Sequence, residues 1–121
     1  MSQQMIFQCT YGKENPERAI LPFVAANVAA TAGIEATVVC TIDAVWLGTK
    51  GGAGSVLAKG LPPLTDLMDE FRGNGGKVWL CGACTKPRGI TEADAAPGVT
   101  IVGAATIIEA IANGATPIAF A

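Results

Sequence analysis

Residues Lys77–Ile90 read KVWLCGACTKPRGI. The first five form an apolar run of strand length, Lys77–Cys81, and the rest is a turn punctuated by glycine and proline that carries two cysteines and two cations. Working outward, Leu64, Leu67, Met68 and Phe71 recur at helical spacing just upstream, and Gly73-Asn74-Gly75-Gly76 ends that helix. Farther upstream, Glu35–Ile42 (EATVVCTI) is β-branched with an apolar centre, which predicts a strand buried on both faces. Met5–Thr10 (MIFQCT) is a first strand. Between these two, Asn15-Pro16-Glu17 supplies an N-cap, a proline at the first helical position and an early acid. The helix so begun carries Ile20, Leu21, Phe23, Val24 and Val28 on its apolar positions and stops at Gly33, with Pro22 expected to bend it. Downstream, Val99–Gly103 is a fourth strand. Thr106 and Glu109 fit a capping box for a helix over Ile107–Ala112, and Asn113-Gly114 ends it before a terminal strand, TPIAF.

Strands that alternate with helices predict one α/β domain over residues 1–121, with a mainly parallel five-stranded sheet covered on both faces. Ligands of such sheets gather beyond the carboxyl ends of the strands, which is where Cys81 and Cys84 fall. The 121 residues suffice to bury a core, and with half of them hydrophobic a disordered chain is excluded. A net charge of -2 without a Lys/Arg block leaves no electrostatic footprint for nucleic acid or an anionic membrane. Only 15% of residues are charged and mean hydropathy is +0.43, so some apolar surface is expected to be buried between subunits. The N-terminal stretch MSQQMIFQCTYG lacks the features of a signal peptide, and no apolar run is long enough to span a membrane. A cytoplasmic protein is therefore expected, and there Cys9, Cys40, Cys81 and Cys84 read as free thiols rather than a disulfide framework.

A cysteine is a nucleophile as its thiolate, so its surroundings must favour the anion. Around Cys81 and Cys84, Lys86 and Arg88 supply cations, Gly82 lets backbone amides approach sulfur, and a helix starting near Thr91 would aim its N-terminus at the site. The bland alternative is two small buried residues closing a strand. Cys9 and Cys40 lie within strands, where buried and inert is the default, although Cys9 sits late enough in its strand to approach the same edge as Cys81. No metal is expected, because a structural zinc site needs four ligands and no histidine or second C-x-x-C supplies them. A thioredoxin-type dithiol would place its C-x-x-C after the first strand of its unit and on a longer helix than these prolines and glycines permit. The run GTKGGAGS matches neither glycine-rich phosphate motif and reads as a flexible lid or oligomer contact. The acids Asp43, Asp66, Asp69, Glu70, Glu92 and Asp94 show no pairing suited to acid–base work, and no cofactor is called for. Without histidine, any chemistry must run on sulfur.

The run KVWLCGACTKPRGI, with Arg88-Gly89-Ile90 closing the turn, resembles the DsrE/DsrF-like sulfur relay family. The likeness extends to Pro16–Gly33, to Asp43-Ala44-Val45 with Lys50, and to Pro97-Gly98-Val99 and Ile101-Val102-Gly103. This resemblance implies a three-layer α/β/α sandwich, assembly as a homo-trimer or hexamer, and a sulfurtransferase or sulfur carrier. Such a carrier holds sulfane sulfur as a cysteine persulfide and relays it between sulfur-donor and sulfur-acceptor proteins. By position Cys81 matches the carrier cysteine. Cys84 departs from the pattern of many relatives, which leaves open whether it resolves a persulfide on Cys81 or carries sulfur itself. Taken with the thiolate argument, Lys86 and Arg88 would stabilise the anion, and the apolar, glycine-rich loop around Trp46, Leu47 and Leu57 would shield the persulfide or form the subunit contact. Two other readings stay open: a non-enzymatic assembly or regulatory subunit whose thiols only pack, and a dithiol oxidoreductase using Cys81 and Cys84.

Overall fold

In the computed structural model, which describes residues 3–120, strand β1 (Gln4–Cys9) pairs in parallel with β2 (Glu35–Cys40), running from Gln4 opposite Glu35 to Cys9 opposite Cys40. The crossover between them is helix α1 (Pro16–Thr31). It starts where its sequence signals say: the Asn15 side chain accepts the Arg18 N–H at 3.3 Å, and Pro16 needs no N–H partner in the first turn. The helix continues through Pro22, which is buried, and ends where Gly33 takes φ +84°. Ile34 N–H then bonds to Ala29 C=O and Gly33 N–H to Ala30 C=O, closing the last turn.

Helix α2 (Leu64–Gly73) leads to β3 (Lys77–Cys81), and β4 (Val99–Val102) follows after a connection of short turns. Helix α4 (Ala104–Ala112) returns the chain to β5 (Thr116–Ile118). Among the described residues the five strands pair in the order β4-β3-β2-β1-β5, all parallel. The chain steps one way from β1 to β4 and then reverses to reach β5 on the far side of β1. Because parallel crossovers are right-handed, that reversal puts α4 on the face opposite α1 and α2, and three layers result.

The two faces are unequally covered. On the α1/α2 face, Phe7, Val38, Val78 and Leu80 meet Ile20 and Phe23 of α1 and Leu64 and Phe71 of α2 in one cluster. The Phe23 and Phe71 rings stand edge to face with centroids 6.3 Å apart, and the Asn27 amide donates to Leu67 C=O at 3.0 Å to tie the helices together. On the other face the buried cluster among the described residues is Ile6, Val39 and Ala115, with Trp79 and residues Ile107, Ala110 and Ile111 of α4 against them. Among the described residues α4 buries none of its side chains, and Ile108 is 65% exposed. The β3–β4 side of this face, with Trp79, Cys81, Thr100 and Val102, stays half-exposed or open.

The main differences from the sequence reading lie at two boundaries and in one loop, the other strand ends differing by one or two residues. The last helix begins at Ala104 rather than Ile107, because Gly103 in extended geometry caps it directly after β4; Thr106 and Glu109 form no capping box. Strand β2 ends at Cys40 rather than Ile42, because Ile42 takes φ +55° and turns the chain into a 3-10 helix over Ile42–Gly48. The glycine-rich run, read as a flexible lid or oligomer contact, has Gly48 and Ala53 buried and is flanked by core residues. Ala44, Val45, Leu47 and Val56 are buried in the main core, Lys50 N–H bonds to Asp94 C=O, and Ala96 N–H bonds to Gly48 C=O at 2.8 Å. A Cβ on Gly52 would lie 1.8 Å from the Trp46 carbonyl oxygen and one on Gly48 2.6 Å from the Leu80 side chain, so these glycines answer a packing demand.

Candidate functional site

Strand β3 delivers Cys81 to its carboxyl end, opposite Val102 of β4. Cys81 is the N-cap of a single helical turn, α3 (Gly82–Thr85), and Cys84 is the third residue of that turn. Both thiols are free and half-buried. The Thr85 hydroxyl donates to Gly82 C=O at 3.2 Å, and a Cβ on Gly82 would come 3.3 Å from the Val102 carbonyl oxygen. Gly82 therefore lets the turn sit close against β4. A 3-10 turn, Lys86–Arg88, follows and ends at Gly89 with φ +70°, which reverses the chain so that Ile90 drops into the core and its N–H bonds to Thr85 C=O. The order Arg-Gly-Ile thus has a local cause: glycine for the left-handed backbone, then an apolar anchor.

Arg88 fixes this turn to the segment after β2. Its Nη1 donates to Cys84 C=O at 3.0 Å, while Nε and Nη2 donate to the same Asp43 Oδ1 at 3.2 and 3.1 Å. The guanidinium is thereby directed at a carboxylate and a carbonyl. Lys86 stands exposed at the rim. Near Thr91, where a helix N-terminus was expected to face the site, there is one 3-10 turn, Glu92–Asp94. Its own Asp94 carboxylate fills the cap, accepting the Thr91 N–H at 2.8 Å and the Thr91 hydroxyl at 3.2 Å.

Cys9 and Cys40 are buried and face each other across β1 and β2. Cys9 Sγ donates to Ala19 C=O at 3.6 Å; its hydrogen bond to Cys40, together with burial, pushes the Cys40 thiol well above its usual range. The register continues from Cys40 to Leu80, so Cys81 lies one residue farther along and, by strand alternation, on the opposite face. Cys9 does not join Cys81.

Beyond the carboxyl ends of β1 and β2 lies a cavity of about 550 Å³ lined by Lys13, Glu14, Asp43, Trp46, Thr49 and Gly52, among others. Glu14 accepts the Gly12 N–H at 2.9 Å. Asp43 is shared between this cavity and the Arg88 clamp, a link between residues 45 apart that no spacing rule reveals. Lys13 and Glu14 escape a sequence reading as well; their only signal is that they follow a strand end. Leu47, read as part of a shield, is buried in the core, whereas Trp46 is 44% and Leu57 61% exposed. Among the described residues no three Cys, Asp or Glu side chains gather as a metal site.

The model of the DsrE/DsrF-like family matches residues 3–120. The chain belongs to that family. Family membership links it to sulfur relay. It is 31% identical over 99 residues to an uncharacterised protein of Methanocaldococcus jannaschii, covering 82% of this chain and 36% of that protein. It is 31% identical over 97 residues to an uncharacterised protein of Methanopyrus kandleri, covering 80% of this chain and 74% of that one. The chain thus spans about a third of the first relative and about three quarters of the second. The same fold occurs in the ychN protein of E. coli, with a TM-score of 0.81 at 17% identity over 98% of this chain and 99% of that one. It occurs also in a protein of unknown function from Methanobacterium thermoautotrophicum, with a TM-score of 0.78 at 16% identity and the same coverage. Among the described residues no helix is long and apolar enough to cross a membrane.

Proposed function

We propose that this protein is a sulfur carrier in which Cys81 accepts sulfane sulfur from a donor protein and relays it to an acceptor. The observation that carries the reading is the placement of Cys81: a half-exposed thiol at the carboxyl end of β3, capping a one-turn helix, in a chain of a sulfur-relay family. The Cys81 thiolate attacks the outer sulfur of a donor persulfide, R–S–SH, giving Cys81–S–SH and releasing the donor thiolate R–S⁻. An acceptor thiolate then attacks the outer sulfur of Cys81–S–SH and frees Cys81. Arg88 and Asp43 position the turn, Gly82 lets it lie close to β4, and Lys86 places a positive charge at its rim.

On this reading the donor and acceptor are proteins of the cytoplasm, and the chain assembles as a homo-trimer or hexamer. Support for assembly comes from α4, an apolar helix (AATIIEAIA) without a buried side chain among the described residues, and from exposed Val28, Trp46 and Leu57.

The test is intact mass after brief exposure to polysulfide, with and without reductant, on wild type, Cys81→Ser and Cys84→Ser. Wild type and Cys84→Ser are expected to gain reducible sulfur increments that Cys81→Ser lacks. Should no variant gain sulfur, the carrier reading fails and the thiols only pack.

A further inference from the structure

We infer that Cys84 is a resolving thiol that discharges the persulfide held on Cys81 as sulfide and leaves a Cys81–Cys84 disulfide. The inference rests on the carrier reading and adds a second exit for the sulfur.

The geometry is that of one helical turn. Cys81 is the N-cap and Cys84 the third helical residue, so the two are neighbours on successive levels of the same turn. A three-residue step along helical backbone separates Cα atoms by about 5 Å, inside the roughly 4.4–6.8 Å that a disulfide bridges. Only Gly82 and Ala83 lie between them, and neither carries a side chain that could intervene. The turn is also held from outside: Arg88 grips the Cys84 carbonyl, Thr85 bonds back to Gly82, and Ile90 anchors the exit. Cys84 is partly buried against the main core, which holds the turn in place, while Cys81 at its N-cap is half-exposed. The other two cysteines offer no such pair, since both are fully buried within β1 and β2 and neither lies on the turn that follows Cys81.

The step balances without an added oxidant. Cys84 as thiolate attacks the inner sulfur of Cys81–S–SH, the persulfide S–S bond breaks, and the outer sulfur leaves as hydrosulfide. A new S–S bond joins Cys81 and Cys84, and the proton lost from the Cys84 thiol goes to the departing sulfide. The sulfane sulfur is reduced and the two cysteine sulfurs are oxidised. An external thiol or dithiol restores both cysteines by exchange. A loaded carrier that meets an acceptor thus passes sulfur on, while one that does not empties itself.

The test is a single turnover. Wild type, Cys84→Ser and Cys84→Ala are loaded with polysulfide, freed of excess by gel filtration, and followed without reductant for released sulfide and intact mass. Wild type is expected to release sulfide about tenfold or more faster than either variant, as an intramolecular thiol should, and to end as a linked Cys81–Cys84 peptide. Both variants are expected to keep the persulfide over the same time; using two guards against a folding defect in one. If wild type holds its persulfide as long as the variants do, the inference is overturned while the carrier reading stands. If the persulfide instead loads on Cys84 in Cys81→Ser, the assigned roles are overturned. If nothing loads, the carrier reading fails at that earlier stage and takes this inference with it.

Discussion

The Asp43–Arg88 clamp offers the sharpest test of how the cysteine turn is held. Arg88 makes two hydrogen bonds to Asp43 Oδ1 and one to the Cys84 carbonyl, and the two side chains are 25% and 48% exposed. Fully exposed pairs contribute about 0.2–1 kcal/mol, and breaking a buried pair costs about 3–5 kcal/mol. Partial exposure puts the coupling of this pair near the lower range, at about 1 kcal/mol. Arg88→Met also loses the bond to Cys84, so its total cost should be about 1.5–2 kcal/mol. For a chain of this size each kcal/mol moves Tm by about 3–5 °C.

The assay is a double-mutant cycle of Arg88→Met and Asp43→Asn by urea unfolding, with the rate of sulfur uptake measured on the same four proteins. The expected result is a double mutant that loses about 1 kcal/mol less than the sum of the single mutants, with an unchanged m-value. A coupling within about 0.3 kcal/mol of zero refutes the clamp. If the coupling is absent and Arg88→Met nevertheless slows sulfur uptake while Asp43→Asn does not, Arg88 acts as a cation at the sulfur itself.

Ile42 has φ +55°, a conformation that costs a β-branched residue about 1–3 kcal/mol, so Ile42→Asn should raise the unfolding free energy from urea titration by about 0.5–1 kcal/mol; a lower value would show that the half-exposed side chain matters more than the strain. Gly73 ends α2 with open space around its missing Cβ, and Gly73→Ala should stabilise by about 0.5–1 kcal/mol. Gly52→Ala, aimed into the Trp46 carbonyl, should cost about 2 kcal/mol or more, and equal effects of the two glycine changes in thermal unfolding would contradict the packing account. The raised Cys40 pKa gives an alkaline signature. The native thiol keeps its proton while the unfolded one loses it above about pH 8.5. Stability is therefore complete below that pH and declines above it, by up to about 1.4 kcal/mol per pH unit, until the native pKa is reached. Cys40→Ala should flatten that slope in unfolding curves between about pH 8 and 10.5.

The elements that could be read from sequence are those with local causes. Asn15 and Pro16 start α1, Gly33 stops it, and the β-branched runs become β2 and β4. Cys81, Gly82, Cys84, Lys86 and Arg88 gather at the carboxyl end of β3 because they are adjacent in the chain. What escaped depends on the third dimension. Ile42 is a poor choice for a left-handed backbone, so nothing in TIDAVWLG marks the turn it makes. Glycines 48 and 52 read as flexibility, whereas the folded chain uses them for close approach to Leu80 and Trp46. Asp43 looks like a solvated acid until the fold brings Arg88 beside it.

The sheet register explains how four cysteines divide into two kinds. Cys9, Cys40 and Leu80 form one row pointing to the densely packed α1/α2 face. A single residue farther along β3, alternation turns Cys81 to the thin face, where α4 covers β1 and β2 but leaves the β3–β4 side open. The topology reversal that places β5 beside β1 is what leaves it open, because it sends α4, among the described residues the one helix of that layer, away from β3 and β4. Assembly through the apolar outer surface of α4 would bring a second subunit to this same face. Access to Cys81 would then be set by the neighbours in the oligomer as well as by its own chain. A substitution such as Ile108→Lys, far from the thiols in sequence and 65% exposed, should therefore change both the oligomeric state and the rate at which Cys81 is alkylated. If sedimentation shows a smaller assembly while the alkylation rate stays at the wild-type value, subunit packing does not govern the site.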